Sequence, residues 1–517
     1  MPKLKFALAA LLMPILCQGC VSRADPVSPT NVTVQTGALS GTIENGIVSF
    51  KNIPFAAPPV GELRWKPPLA PASWSGVRDA TEFGAACPQP ARPRRPRSPV
   101  LANQSEDCLS LNIWAPEHAD NAPVMVWIHG GAHRLGSGAL PYYDGTAFAE
   151  EGIVLVTLNY RLGLLGYFAH PALTAEAGPD DALGNYGLMD QIAALKWVQG
   201  NIAAFGGDPS NVTVFGESAG GASTIYLLTT PAAHGLFQKA IVQSGGGFQQ
   251  PDTLAQQEQK GVEDAATAGL DANTSANDLR ALGSDDILEM AGPLDGLGFG
   301  TFIDGKLVSE PPSQVFAEGR AADVPLMVGA NSNEASVMRA LGVNNRAVAA
   351  AAGGRLDELK VAYDADAIGE EEFVRRLMGD YSFVAPARWV AGQTASGAPS
   401  YLYHFDYVLK RRRNREPGAS HGSEIPFVFK TLTDIPLVGR FATDEDRTMS
   451  EILSACWTSF ARTSAPDCGP HLAWPAYSAE DTLMLFDADP GTVSDYRSAQ
   501  MGIVTELLEA RAGLAGH

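Results

Sequence analysis

The chain carries, at residues 212–220, the sequence VTVFGESAG. Its first four residues are apolar or β-branched and predict a short buried strand, and a helix-compatible stretch follows at residues 221–228. Between them, Ser218 stands in the pattern G-x-S-x-G, flanked by Gly216 and Gly220. Glycines suit a sharp turn there because a Cβ atom would collide with the strand and the helix, and the turn lifts the serine hydroxyl above the sheet. The stretch predicts an α/β fold with Ser218 as a nucleophile.

A second G-x-S-x-G pattern occurs at residues 418–422, around Ser420. With 53 glycines in 517 residues, composition alone gives roughly a third of a chance match to this pattern. The second pattern follows Pro417, has no strand before it, and runs into Ile425 and a proline instead of a helix. Its context therefore rejects Ser420 and keeps Ser218.

Short apolar runs alternate with helix-like segments along the rest of the chain. Strands are predicted at residues 124–128, 153–158, 240–242, 324–328 and 401–407, after an N-terminal β-meander at 31–50. Helices are predicted at residues 187–202 and 450–461, and helical insertions at about 255–300 and 340–395. Buried strands that alternate with helices predict a large, mostly parallel sheet flanked by helices on both faces. No repeat or composition break divides the chain, so residues 25–517 are expected to form a single domain.

A glycine-rich loop, HGGA at residues 129–132, follows the strand at 124–128. A serine that attacks an ester generates an oxyanion, and losing one waiting N–H donor typically costs about 10²–10³ in rate. The loop is expected to supply such donors, together with the N–H of Ala219 directly after the nucleophile. The alternative is an ordinary glycine turn at the end of a strand.

The nucleophile needs a base. In α/β folds with this serine turn, the serine comes first along the chain, the acid second and the histidine base last. The histidines after Ser218 are His234, His404, His421, His471 and His517. His404 falls inside a predicted strand, His234 at a helix end, and His471 in a proline-rich loop. His421 lies in a glycine-flanked loop after a strand, where its side chain can reach a serine. His421 is therefore the predicted base.

The base in turn needs a carboxylate that orients it. Glu334 follows the strand at 324–328 across a predicted loop at 329–333. A single glutamate is more often a surface charge, but the carboxyl end of a strand is where site residues of an α/β fold gather. Glu334 is therefore the predicted acid.

Composition limits the partners and the compartment. The formal net charge is −20, which argues against nucleic acid as a partner. Lys3 and Lys5 precede an apolar stretch at residues 6–16 that is too short to cross a bilayer, so residues 1–24 are expected to be a signal peptide. A lipoprotein signal ending before Cys20 is the alternative. The mature protein is expected to be exported, periplasmic or secreted, without an integral membrane span.

Four cysteines remain after the signal segment: Cys87, Cys108, Cys456 and Cys468. An even number in an oxidising compartment favours disulfides, and proximity along the chain favours Cys87–Cys108 and Cys456–Cys468. No pair has zinc-finger spacing with nearby histidines, so no structural metal is expected.

Two long stretches identify a family resemblance. Residues 205–220, FGGDPSNVTVFGESAG, match the serine signature of the type-B carboxylesterases, which include bacterial p-nitrobenzyl esterases and the cholinesterases. Residues 106–112, EDCLSLN, match their second signature, and the chain resembles the family from about residue 36 to 477. The resemblance implies the α/β-hydrolase fold and a carboxylic ester hydrolase that works through an acyl-enzyme without a metal or organic cofactor. The implied substrates are short- to medium-chain or bulky carboxylic esters.

The resemblance also implies roles for single residues. The implied triad is Ser218, Glu334 and His421, and the implied oxyanion donors are the N–H groups of Gly131, Ala132 and Ala219. Polar groups near the triad, which could equally be structural, are Glu217, Ser244 and Glu424. Cys87–Cys108 matches the first family disulfide, whereas the Cys456–Cys468 pairing stays open. Two implied buried salt bridges are Arg64 with Glu106 and Arg161 with Asp190.

The chain also departs from the family. The loop at residues 88–106 holds no aromatic side chain that could bind a quaternary ammonium, which argues against choline esters. It holds four arginines instead, and a second basic run follows later: Arg92, Arg94, Arg95 and Arg97, then Lys410, Arg411, Arg412, Arg413 and Arg415. We hypothesise that these favour esters carrying carboxylates, against the alternative of solvated loops. The alternative functions are a lipase-like enzyme, an amidase or acyltransferase that uses the same triad, and a non-catalytic binding member of the fold. The natural ester and the oligomeric state stay open.

Overall fold

The computed structural model describes residues 30–90, 99–179, 181–271, 273–292, 299–340, 345–394 and 396–514. The predicted signal segment with Cys20 lies outside the described residues. So do the four arginines of the first basic run, at positions 92, 94, 95 and 97.

The described residues form fourteen strands. They are β1 (Asn31–Val34), β2 (Gly37–Ser40), β3 (Thr42–Glu44), β4 (Ile47–Pro54), β5 (Val77–Asp79), β6 (Ser110–Pro116), β7 (Ala122–Ile128), β8 (Val154–Leu158), β9 (Gly207–Glu217), β10 (Lys239–Gln243), β11 (Leu326–Asn331), β12 (Ser400–Phe405), β13 (Thr482–Phe486) and β14 (Gly491–Ser494).

Helices cover the sheet and fill the long connections. They are α1 (Pro99–Ala102), α2 (Thr146–Glu150), α3 (Gly163–Gly166), α4 (Pro171–Glu176), α5 (Tyr186–Asn201), α6 (Ala219–Thr229), α7 (Leu254–Thr267), α8 (Ala276–Arg280), α9 (Ser284–Met290), α10 (Pro312–Ala317), α11 (Ala335–Ala340), α12 (Asn345–Ala352), α13 (Leu356–Ala362), α14 (Ala365–Ile368), α15 (Glu370–Gly379), α16 (Ala385–Thr394), α17 (Ile425–Val428), α18 (Pro436–Gly439), α19 (Asp444–Thr463) and α20 (Ser498–Ala512). A π-helical turn, Asp380–Val384, joins α15 to α16. Single 3-10 turns lie at Gly61–Leu63, Pro141–Tyr143, Ile202–Phe205 and Pro231–Ala233.

Eleven of these strands form one sheet in the order β14-β13-β12-β11-β10-β9-β7-β8-β6-β4-β3. The neighbouring pairs from β13 to β8 are parallel, and the pairs at both edges are antiparallel. β1, β2 and β5 form a small separate sheet. The expectation of a mostly parallel sheet is confirmed, and the carboxyl ends of its parallel strands meet at one edge, where α/β folds bind their ligands.

The central strands are buried because helices cover both faces of the sheet. Alternate side chains of β7 and β9 enter different cores: Val126 and Val214 belong to one hydrophobic cluster, Trp127 and Phe215 to the other. The first cluster includes side chains of α6, and the second includes Trp457 of α19. This arrangement explains why the sequence reads as continuous apolar runs.

One predicted boundary was wrong in a way that affects the site. The segment 329–333 was expected to be a loop, but β11 continues through Asn331, paired with β12 along its whole length. The polar Asn331 ends the strand because its side chain has buried partners, described below. Glu334 therefore follows the sheet edge after only two intervening residues.

Covalent and ionic links match the expectations from the sequence. Disulfides join Cys87 to Cys108 and Cys456 to Cys468, which settles the second pairing in favour of proximity. The expected buried ion pairs are also present: Arg64 with Glu106 and Arg161 with Asp190. Of the helices in the described ranges, none combines the length and apolar character needed to cross a membrane.

Candidate active site

The predicted nucleophile sits in the sharp turn between β9 and α6. Ser218 has φ 56° and ψ −120°, a strained conformation for a residue with a side chain. A Cβ atom on Gly220 would lie 1.9 Å from the carbonyl oxygen of Ile128, so only glycine lets the helix approach β7 this closely. The N–H of Ser218 donates to the carbonyl of Gln243, at 2.9 Å, which ties the turn to β10.

The glycine loop (residues 129–132) lies directly against this turn. A Cβ atom on Gly130 would stand 3.1 Å from the Cβ of Ser218, so the loop packs on the serine. Gly131 has φ 112° and Ala132 has φ 55°, so both lie in the left-handed region. Within the described part of the chain, the N–H groups of Gly131, Ala132 and Ala219 donate no hydrogen bond to the protein. They are free to receive an oxyanion.

The predicted acid and base are joined side chain to side chain. Nδ1 of His421 pairs with Oε2 of Glu334, whose side chain is fully buried. The other oxygen, Oε1, accepts from Ser244 Oγ at 2.5 Å and from the Asn331 N–H at 2.7 Å. The backbone N–H of His421 donates to Ser336 Oγ at 2.9 Å. Carboxylate and imidazole are therefore held at several points, which fixes which ring nitrogen faces outward.

The outward nitrogen of His421 faces Glu217. Its Nε2 lies 3.1 Å from Oε1 of Glu217, and it has no hydrogen-bond partner by geometry, Ser218 Oγ included. The ring of Phe383, on the π-helical turn, packs 5.0 Å from the imidazole ring. The structure thus brings Glu334, His421 and Glu217 into contact and leaves the hydrogen bond from serine to histidine unformed. Catalytic hydrogen bonds often tighten only once substrate is bound.

Both partners of this contact have raised pKa values. Burial lowers the pKa of His421, but the carboxylates of Glu217 and Glu334 outweigh burial and raise it overall. Burial raises the pKa of Glu217, against the attraction of His421. Because each charged form depends on the other, the two groups titrate as a coupled pair.

Glu424 lies one step further from the imidazole. Its carboxylate accepts from Asn331 Nδ2 at 2.5 Å and from Gln243 Nε2 at 2.9 Å, and burial raises its pKa. Trp457 Nε1 completes the network by donating to Gln243 Oε1 at 3.1 Å. Gln243 therefore links two parts of the site. Its backbone carbonyl accepts from the Ser218 turn, and its side-chain amide donates to Glu424.

Several of these contact residues were missed by the sequence analysis, namely Gln243, Asn331, Ser336, Phe383 and Trp457. Two of them carried a readable signal. Gln243 and Asn331 are polar residues at the carboxyl ends of otherwise apolar strands, which is the edge where such sites form. Trp457 and Phe383 lie far away in sequence, and only the tertiary fold brings them near.

The other histidines lie in different surroundings. His404 is buried within β12, neither ring nitrogen has a hydrogen-bond partner, and burial lowers its pKa to about 3. His234 bonds the Leu228 carbonyl at 3.2 Å, and His471 is exposed. His517 lies outside the described residues.

Three of the five cations in the second basic run pair with two neighbouring carboxylates. Lys410 and Arg413 both pair with Glu445, and Arg412 pairs with Glu416. These contacts favour the solvated-loop interpretation over recognition of anionic esters. Among the described residues, no group of three or more His, Cys, Asp or Glu side chains is arranged to hold a metal ion.

Known proteins provide an independent comparison. The model of the carboxylesterase family matches residues 28–365 and 356–503. A para-nitrobenzyl esterase of Bacillus subtilis is 40% identical over 475 residues, covering 88% of this chain and 94% of the relative. A fumonisin B1 esterase of Sphingopyxis macrogoltabida is 36% identical over 502 residues, covering 94% and 91%.

Solved structures give the same answer. A PNB esterase structure superposes with a TM-score of 0.81 at 37% identity, covering 92% of this chain and 99% of its own. A Geobacillus stearothermophilus carboxylesterase superposes with a TM-score of 0.79 at 33% identity, with the same coverage. Both matches thus cover most of the chain. The chain therefore belongs to the carboxylesterase family, and it is a carboxylic ester hydrolase with the α/β-hydrolase fold.

Proposed function

We propose that Ser218 is the nucleophile, His421 the general base and Glu334 the orienting acid of a two-step ester hydrolysis. The observation that carries this assignment is the buried pairing of Glu334 with His421 beside the strained turn that holds Ser218. A nucleophile, a base and an orienting carboxylate meet the general requirement for an activated serine.

In the first step, Nε2 of His421 takes the proton of Ser218 Oγ while Oγ attacks the ester carbonyl carbon. The oxyanion that forms is held by the N–H groups of Gly131, Ala132 and Ala219. His421 then gives its proton to the leaving alcohol, which departs as the acyl-enzyme forms. Water repeats the sequence on the acyl-enzyme: His421 takes its proton, and the carboxylic acid and Ser218 are released.

Glu217 has a defined place in this scheme as an electrostatic partner of His421. The base form of His421 requires Nε2 without its proton, and the Glu217 carboxylate 3.1 Å away favours the protonated imidazole. The contact therefore sets the fraction of His421 that is available as a base.

The substrates proposed are small-molecule carboxylic esters with short- to medium-chain or bulky acyl groups. Support comes from the named relatives, which include a para-nitrobenzyl esterase and a cocaine esterase. Neither name points to long-chain lipids. p-Nitrophenyl esters of different acyl length are accordingly suitable probe substrates.

The test is hydrolysis of p-nitrophenyl acetate, butyrate and palmitate by the protein and by two serine variants. Ser218→Ala is expected to lose at least 10³-fold in kcat. Ser420→Ala, in the second G-x-S-x-G pattern, is the matched control and is expected to retain full activity. Equal activity of Ser218→Ala and the parent would overturn the assignment. A sharp rise in activity when the concentration of p-nitrophenyl palmitate exceeds its solubility limit would favour the lipase-like alternative.

Export is proposed as well, with residues 25–517 as a single mature domain. Its support is the pair of disulfides, since such bonds persist in oxidising compartments. Cell fractionation combined with thiol labelling tests this proposal. If the protein is exported, esterase activity should be found outside the cytoplasm, and the four cysteines of the two disulfides should not react with the thiol label. Cytoplasmic activity with reactive thiols would contradict it.

A further inference from the structure

His133, the residue directly after the glycine loop, is a buried histidine that the mechanism above does not use. Its side chain is 5% exposed, and its backbone has φ 54°. Together with Gly131 and Ala132 it makes three consecutive residues in the left-handed region. Strained conformations of this kind persist only where the surroundings enforce them. The contacts of His133 show what enforces this one.

The imidazole ring of His133 connects the glycine loop to the helix that follows the nucleophile. Its Nε2 lies 3.1 Å from Oγ of Ser223, on the first turns of α6. Gln191 of α5 donates to the same hydroxyl at 3.0 Å. A backbone hydrogen bond with Ala219 partly offsets the effect of burial on the pKa of this ring. One side chain therefore contacts both elements that carry the proposed oxyanion donors.

Further contacts hold both the ring and the backbone of His133 in place. Tyr167 packs 4.9 Å from it, ring centre to ring centre, and a Cβ atom on Gly300 would lie 3.3 Å from its Nδ1. The His133 carbonyl accepts from the Gly163 N–H at 2.7 Å. Burial lowers the pKa of His133 to about 4, so the ring is neutral where esterases are assayed. It acts as a fixed hydrogen-bonding group and not as a proton carrier.

We infer that His133 is a positioning residue for the oxyanion hole, because its imidazole holds the Gly131 and Ala132 N–H groups in register with the Ala219 N–H. The inference rests on the proposed function, since it assumes that these three groups bind the oxyanion. Donors that shift by a fraction of an ångström lose stabilisation of the transition state while substrate binding is barely affected.

The test compares His133→Ala with His133→Gln, whose amide can still bond Ser223. His133→Ala is expected to lower kcat about 10–100-fold with KM changed less than twofold. The affinity for a trifluoromethyl ketone, which forms an oxyanion on the serine, is expected to fall by the same factor as kcat/KM. His133→Gln is expected to recover much of the loss. The pH profile is expected to keep its midpoint, because the ring carries no proton in the reaction.

Two controls separate the possible outcomes. His404→Leu removes another buried neutral histidine, so it reports general effects on stability and is expected to leave kcat and ketone affinity unchanged. Unchanged kcat and ketone affinity in folded His133→Ala would overturn the inference, and so would losses equal to those of His404→Leu. If Ser218→Ala stays active, the proposed function fails instead, and the two failures are thereby distinguished.

Discussion

At the scale of single residues, the site is a set of carboxylates around one imidazole. Glu334 contacts Nδ1 of His421, and Glu217 faces Nε2. No lysine or arginine forms an ion pair with either glutamate among the described residues. The imidazole is thus the one group of this cluster that becomes a cation when protonated, and removing one carboxylate should change how readily it accepts a proton.

Replacing Glu217 by glutamine tests this electrostatic role. A negative carboxylate beside Nε2 raises the pKa of His421, so removing its charge lowers that pKa. The base form then persists at lower pH, and the acid limb of kcat/KM is expected to move down by about one pH unit. The measurement is kcat/KM for p-nitrophenyl butyrate from pH 5 to 10. A limb that stays in place or moves to higher pH would refute this role.

Ala132 offers a test of backbone strain. An L-residue in the left-handed region costs about 1–2 kcal/mol, and glycine avoids most of that cost. Ala132→Gly is expected to raise the free energy of unfolding by about 0.5–1 kcal/mol and to keep kcat within threefold, because the N–H remains. Ala499→Gly, at an exposed position of α20, is the control and should be destabilising. Urea unfolding measures both; a destabilised Ala132→Gly would speak against strain.

At the scale of elements, the approach of α6 to the sheet decides the geometry of the turn that holds Ser218, the proposed nucleophile. The helix begins directly after Ser218, and its glycine at position 220 lies against the Ile128 carbonyl of β7. This contact explains why the pattern needs glycine there, a requirement that the sequence analysis attributed to the same crowding. The glycine at position 502 in α20 has open space around its missing side chain.

A matched pair of glycine variants tests this contact. Alanine favours a helix over glycine by about 1 kcal/mol, so Gly502→Ala is expected to stabilise the protein slightly. In Gly220→Ala the collision with the Ile128 carbonyl outweighs that gain, and a loss of more than about 3 kcal/mol with loss of activity is expected. Thermal unfolding measures the stability of both variants, and ester hydrolysis measures their activity. Similar effects of the two substitutions would show that helix approach does not constrain the turn.

At the scale of the whole molecule, disulfide bonds connect segments that are separated along the chain. The Cys87–Cys108 disulfide closes a segment of 21 residues, and such a bond contributes about 2–4 kcal/mol. Replacing both cysteines by serine is expected to lower the free energy of unfolding by that amount while the Ser218 turn and its activity survive. Guanidinium unfolding of the double variant measures it. An unchanged midpoint would mean that the segment is already fixed without the bond.

Much of this architecture could be predicted from the sequence because it rests on local patterns. The apolar runs of β7 to β12 and the glycine spacing around Ser218 each carry their own signal. The contact between Trp457 and Gln243 could not be predicted in this way, since only the packing of α19 on the sheet brings these two side chains together. The end of β11 was misjudged because Asn331, polar and in a strand, is stabilised by a tertiary contact.

The central claim is that Ser218 is the nucleophile, and covalent capture tests it most directly. The protein is treated with a fluorophosphonate, and the modified residue is located by peptide mass spectrometry. The account predicts one equivalent of label on Ser218, none on Ser420, and no labelling of Ser218→Ala. Label on another residue, or undiminished labelling of Ser218→Ala, would contradict it.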